Sequence, residues 1–128
     1  MKKMNLMGAL LASTVLAACA GQGMRAESPA SVADGVLVGA NGMTLYTFDK
    51  DAAGSGKSMC NGPCAGNWPP LFAMDGAMAA GDYSVIRRDD GKQQWAFKGK
   101  PLYYWIKDSK AGDRTGDGFN NVWHVAKP

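Results

Sequence analysis

Gly42-Met43-Thr44-Leu45-Tyr46-Thr47-Phe48-Asp49-Lys50-Asp51 returns farther along the chain as Gly99-Lys100-Pro101-Leu102-Tyr103-Tyr104-Trp105-Ile106-Lys107-Asp108. Both stretches read G-x-x-L-Y-x-[FW]-x-x-D, and the offset is 57 at every shared position. A tryptophan follows each, Trp68 and Trp123, with the register slipped by two. The domain is therefore read as one unit written twice.

Hairpin cues surround both stretches. Val36-Leu37-Val38 and Thr44–Phe48 flank Asn41-Gly42, and a type I′ turn there requires positive φ at both turn residues. In the second repeat Gln94–Phe97 and Leu102–Ile106 flank Lys98-Gly99-Lys100-Pro101. Strand alternation points Tyr103 and Trp105 one way and Leu102, Tyr104 and Ile106 the other. It does the same for Tyr46 and Phe48 against Leu45 and Thr47. The aromatic face common to both repeats is the expected core.

Further strands are expected at Tyr83–Ile86 and Asn121–Val125. Ala73–Ala80 suggests a helical turn. Arg87-Arg88-Asp89-Asp90-Gly91 reads as a solvated turn. Elsewhere Gly and Pro interrupt helical periodicity. The expected fold is mainly β, a small antiparallel domain of two hairpin-containing pseudo-repeats, about 36–68 and 93–123, related by a pseudo-twofold. All 12 aromatic residues lie between Tyr46 and Trp123, which puts the core there.

The 128 residues leave room for one domain, assigned to 34–128, after an export signal at 1–18. Lys2 and Lys3 begin that signal, and the apolar run Leu6–Ala18 is short for a permanent membrane span. It ends Leu16-Ala17-Ala18-Cys19. This resembles the bacterial lipobox, and the resemblance implies cleavage before Cys19 and diacylglycerol on its thiol. Two or three acyl chains make such attachment effectively permanent. With Ala20 rather than Asp next to Cys19, the same resemblance implies the outer membrane, facing the periplasm, in a Gram-negative cell. Residues 19–33 are small and polar without hydrophobic period, and read as a flexible tether. Of 14 basic residues, losing Lys2 and Lys3 leaves 12 against 11 acidic ones. That balance argues against nucleic acid as a partner. The expected partners are membrane lipid, through acylated Cys19, and an envelope protein or small molecule.

Few residues suggest chemistry. Cys60 and Cys64 enclose Asn61-Gly62-Pro63, and in an oxidising compartment two remaining thiols are expected to pair. A structural disulfide there closes a short loop worth about 2 kcal/mol. The alternative is periplasmic copper or thiol–disulfide handling by Cys60, Cys64 and His124, because soft sulfur ligands suit Cu(I). The acidic loop Asp108–Gly118 lacks the spacing and the distal Glu of a calcium loop. Asp51 and Asp108 are expected to accept backbone N–H bonds and shape the turns after their strands. No nucleophile, base or phosphate-binding constellation is visible, so no enzymatic activity and no cofactor are expected.

The repeated Y-x-[FW]-x-x-D, Cys60–Pro70 (Cys-Asn-Gly-Pro-Cys-Ala-Gly-Asn-Trp-Pro-Pro), Asp90-Gly91-x-x-Gln94-Trp95 and Gly99-Lys-Pro-Leu-Tyr103 together resemble a known family. It is the bacterial predicted lipoproteins with a Y-x-[FWY]-x-x-D motif, also called secreted repeats of unknown function. The resemblance spans about Asp34 to Val125. It implies a lipoprotein built on a repeat, and no activity. The expected function is that of a membrane-anchored, non-catalytic envelope module that binds a ligand or partner or serves a structural role.

Overall fold

Short apolar runs separated by Gly and Asn pair through tight turns, and turn geometry decides which runs meet. The computed structural model of the chain describes residues 28–128. Its strands are β1 (Ala30–Ala33), β2 (Val36–Gly39), β3 (Tyr46–Phe48), β4 (Tyr83–Arg87), β5 (Gln93–Phe97), β6 (Lys100–Pro101) and β7 (Trp123–Val125). One short helix, α1, covers Pro63–Asn67, and a 3₁₀ turn covers Phe119–Asn121. The fold is mainly β, as expected. All strand pairs are antiparallel: β1 with β2, β3 with β7, and β4-β5-β6 in one sheet. Among the described residues no helix is long and apolar enough to cross a membrane.

The expected type I′ turn lies elsewhere. Gly42 has φ of 82°, but Asn41 is not in the left-handed region. Instead the Gly42 N–H donates to the Gly39 carbonyl, and the Asn41 side chain accepts from the Met43 N–H. Gly39 then receives the return strand through its own N–H to Met43 O. Positive φ at two successive residues occurs at Asp34-Gly35, joining β1 to β2, and at Lys98-Gly99, joining β5 to β6. Both are two-residue hairpin turns of the kind that positive φ pairs produce.

The start of the domain also differs from expectation. Ala30–Ala33, assigned to the tether, is strand β1, paired from Ala30↔Gly39 to Ala33↔Val36. The module therefore begins before Asp34. No hydrophobic period marks this strand, because only Ala30 of its four residues is buried. The expected helical turn at Ala73–Ala80 is not helical: a tight turn closed by Ala77 N–H to Met74 O holds Gly76 at φ of 82°. The expected signal peptide, Cys19 and residues 20–27 lie outside the described residues.

The two repeats meet at Tyr46 and Tyr103. These equivalent residues form an antiparallel bridge, exchanging N–H to O bonds of 2.7 and 3.0 Å. An equivalent pair bonded to each other places a local twofold axis between them. The surrounding bonds obey that axis. Leu45 N donates to Leu37 O, Leu37 N to Ala126 O and Ala126 N to Leu45 O. In the other half Leu102 N donates to Trp95 O, Trp95 N to Leu71 O and Leu71 N to Leu102 O.

Both faces of this central pairing are covered. One core layer holds Val36, Val38, Tyr46, Phe48, Cys60, Trp68, Tyr103, Trp105, Trp123 and Val125. The other holds Leu37, Leu45, Leu71, Trp95, Leu102 and Ala126, with Tyr104 packed against it. The aromatic face is core, as alternation implied, and the Leu face is core too. Only Ile106, among the residues assigned to that second face, is exposed.

Candidate functional site

The motif residues sit at the centre of the first layer, and their bonding crosses between repeats. The Tyr46 hydroxyl donates to Asp108 Oδ2 at 2.6 Å, and the Tyr103 hydroxyl donates to Asp51 Oδ2 at 2.5 Å. Each tyrosine thus serves the aspartate of the other repeat. The remaining oxygen of each carboxylate holds its own loop: Asp51 Oδ1 accepts from Met59 N–H, and Asp108 Oδ1 from Thr115 N–H and hydroxyl. The expected turn-shaping role of the two aspartates is seen in these bonds. Their pairing with tyrosine was not legible, because it depends on how the repeats face one another.

Burial sets the ionisation of this network. Desolvation, reinforced by the facing carboxylates, pushes both Tyr46 and Tyr103 well above the ordinary phenol range. Burial also raises Asp51 above the usual carboxylate value, against the lowering influence of its hydrogen bonds and of Arg88. Neutral phenols donate to the carboxylates without adding a charge of their own.

Stacked rings continue the same symmetry. Phe48 stacks on Trp123 at 4.2 Å between centroids, Trp123 on Trp68 at 3.8 Å and Trp68 on Trp105 at 3.9 Å. Exchanging the repeats turns Phe48 into Trp105 and Trp68 into Trp123, so the order reads the same from either end. Tyr46 meets Trp68 edge-on at 5.4 Å, and Tyr103 meets Trp123 edge-on at 5.1 Å. Gly116 admits the stack closely, since a Cβ there would lie 2.7 Å from the Trp68 ring.

Arg88 departs from its reading as part of a solvated turn. It is 3% exposed, and its guanidinium donates to Ser58 Oγ, Gln94 Oε1, Cys60 O and Asn61 Oδ1. Ser58 bonds on to the Tyr103 hydroxyl at 2.6 Å. A chain of donors therefore runs from Arg88 through Ser58 and Tyr103 to Asp51. Ile86, two positions before, is buried too, and strand alternation carries the same inward direction to Arg88. Arg87, between them, is exposed.

Cys60 and Cys64 are joined, S–S 2.01 Å and Cα–Cα 5.2 Å. Cys60 is fully buried against the aromatic layer, where its carbonyl receives Arg88. His124 does not join them. Trp123 and Val125 turn into the core, so alternation along β7 turns His124 outward, where its Nε2 bonds to Asp49 at 2.8 Å. In the acidic loop Asp108, Asp113 and Asp117 each bond to separate groups. Among the described residues no cluster of three His, Cys, Asp or Glu side chains could hold a metal ion.

One concave surface stands apart from this frame. A groove of about 510 Å³ runs between Leu71, Phe72, Met74 and Ala77 on one side and Trp95 and Tyr104 on the other. Phe72 and Met74 are 49% and 83% exposed. Ser28 and Pro29 also line it. Periodicity could not have located it, since its walls come from segments far apart in the chain: Ser28 and Pro29, Ala40, residues 71–77, Trp95 and Tyr104.

A family model described as a secreted repeat of unknown function matches the chain twice, over residues 28–72 and 84–127. The first match begins two residues before β1, and the second takes in Ser84 of β4 through β7. No curated protein and no solved structure matches the chain.

Proposed function

Since the chain belongs to the family of secreted repeats of unknown function, we propose that it is a non-catalytic module held on the cell envelope through acylated Cys19. The observation that supports this reading is the crosswise bonding of Tyr46 with Asp108 and Tyr103 with Asp51. The motif tyrosine hydroxyls and one oxygen of each motif aspartate join the repeats, the other carboxylate oxygens hold their own loops, and all four side chains are buried away from any substrate. The motif is a frame, and binding falls to the surface that the frame carries.

The Leu16-Ala17-Ala18-Cys19 sequence supports the anchor, and Ala20 supports an outer-membrane destination in a Gram-negative host. Two measurements test the two parts. Cys19→Ser should move the protein from the detergent phase to the aqueous phase, and unchanged partitioning would overturn the anchor. A screen of envelope extracts should show no turnover. Turnover that a point substitution in the domain abolishes would overturn the non-catalytic reading.

A further inference from the structure

We propose that the groove between Phe72, Met74, Trp95 and Tyr104 holds an acyl chain of the lipid carried by Cys19 of the same molecule. The proposal rests on the anchored reading above. Its volume, about 510 Å³, lies within the roughly 300–1,000 Å³ of ligand sites. Leu71 and Trp95 are its most buried walls, each 9% exposed, while Phe72 and Met74 stand out beside them. Apart from Ser28, Asp75 and Tyr104 the side chains of the lining are apolar, so it makes little hydrogen-bonding demand on its occupant. A peptide strand would bring N–H and C=O groups that need partners, whereas a hydrocarbon chain brings none. The unbranched thioether of Met74 adapts to an occupant without fixed shape.

The chain path selects the source of that hydrocarbon. Ser28 and Pro29 line the groove, and Cys19 lies nine positions before Ser28. Nine residues extend to at most about 30 Å, so lipid on Cys19 can reach the groove. For links this short the effective concentration is on the order of millimolar. Charge favours the same source. Among the described residues, Asp75 is the only carboxylate that lines the groove, and no basic side chain lines it. A free fatty acid brings its own carboxylate against Asp75. A chain esterified on the Cys19 glyceryl group brings no charge.

The test uses the full lipidated chain, produced in cells fed a palmitate analogue with a photoreactive diazirine near its methyl end. Intact mass first establishes that Cys19 is acylated. An unacylated chain would overturn the anchor and this proposal together. With acylation shown, irradiation should place intramolecular adducts on residues 71–77 or on Trp95, and Ala77→Trp, which fills the groove, should abolish them. Adducts only on bilayer lipid, only between differently tagged molecules, or unchanged by Ala77→Trp would overturn the proposal and leave the anchor standing. A second measurement does not depend on acylation in the cell. A synthetic dipalmitoylglyceryl peptide of residues 19–28 should bind the full Cys19→Ser chain, with loss of binding in the added Ala77→Trp variant. Palmitate should bind more weakly than the peptide, and Asp75→Asn should narrow that gap. Equal binding with and without Ala77→Trp would overturn the groove as the site.

Discussion

Tyr46 and Asp108 lie 62 residues apart and share a buried hydrogen bond of 2.6 Å, while the aspartate of Tyr46's own repeat is bonded to Tyr103. The motif that defines each repeat is therefore completed only by the other. Neither repeat could bury its tyrosine hydroxyl alone without leaving a donor unpaired, at a cost of about 1–3 kcal/mol.

The crosswise pairing predicts where coupling will appear. Tyr46→Phe and Asp108→Asn should each destabilise, and a double-mutant cycle should give about 0.5–3 kcal/mol of interaction, as contacting residues do. The cycle of Tyr46→Phe with Asp51→Asn, within one repeat, should give the smaller value. Urea unfolding of the six chains measures both, and equal coupling would contradict the assignment.

The four-ring stack predicts a large truncation cost at both of its ends. Phe48 and Trp105 are each 7% exposed. Removing a large buried aromatic costs about 3–5 kcal/mol, against a total stability of about 5–15 kcal/mol for a small domain. Trp105→Ala is expected to approach the limit of folding. Phe48→Ala, the smaller ring at the equivalent place, should fold with a lowered urea midpoint. Midpoints near that of the parent in both variants would mean that these rings do not form the core.

Adjacent arginines should behave oppositely. Arg88→Ala leaves Gln94 Oε1 and Cys60 O without the guanidinium that reaches both. Each buried acceptor left alone costs about 1–3 kcal/mol. Arg88→Lys should recover only part of the loss, since an ammonium lacks the fork that reaches several acceptors at once. Arg87→Ala, on the exposed side of β4, should change stability by no more than about 0.5 kcal/mol. Thermal unfolding of the three variants checks the order, and equal effects at both positions would refute the buried placement of Arg88.

Alkaline pH should unfold the domain through its two motif tyrosines. In the folded chain Tyr46 and Tyr103 are held well above the ordinary phenol value, which is about 10 in an unfolded chain. The unfolded state thus loses protons first as pH rises, and stability falls above about pH 10. Each tyrosine contributes a slope of about 1.4 kcal/mol per pH unit in that range. Stability from these groups is fully present below pH 10. Denaturant titrations between pH 9 and 11.5 should show the slope, and Tyr46→Phe should lessen it. Tyrosinate absorbance from Tyr46 and Tyr103 that appears before unfolding would contradict their burial.

The repeat, the mainly β class, the inward aromatic face and the Cys60–Cys64 pair were all legible from the sequence alone. Each follows from spacing along one segment: alternation every second residue, an offset held at 57, three residues between the two cysteines. Turn positions were only half legible. A left-handed residue is signalled by its type, yet which hairpin takes two of them depends on strand register, and Lys98-Gly99 took them where Asn41-Gly42 did not. Tertiary structure alone decided that Tyr46 serves Asp108, that the rings order as Phe48, Trp123, Trp68, Trp105, that Arg88 is buried, and that a groove opens beside Phe72 and Met74. The physical reason is common to all four. A local pattern tells a side chain which face of its strand to take, but the partner that satisfies it arrives from tens of residues away, and the repeats face each other across a twofold axis that no single segment contains.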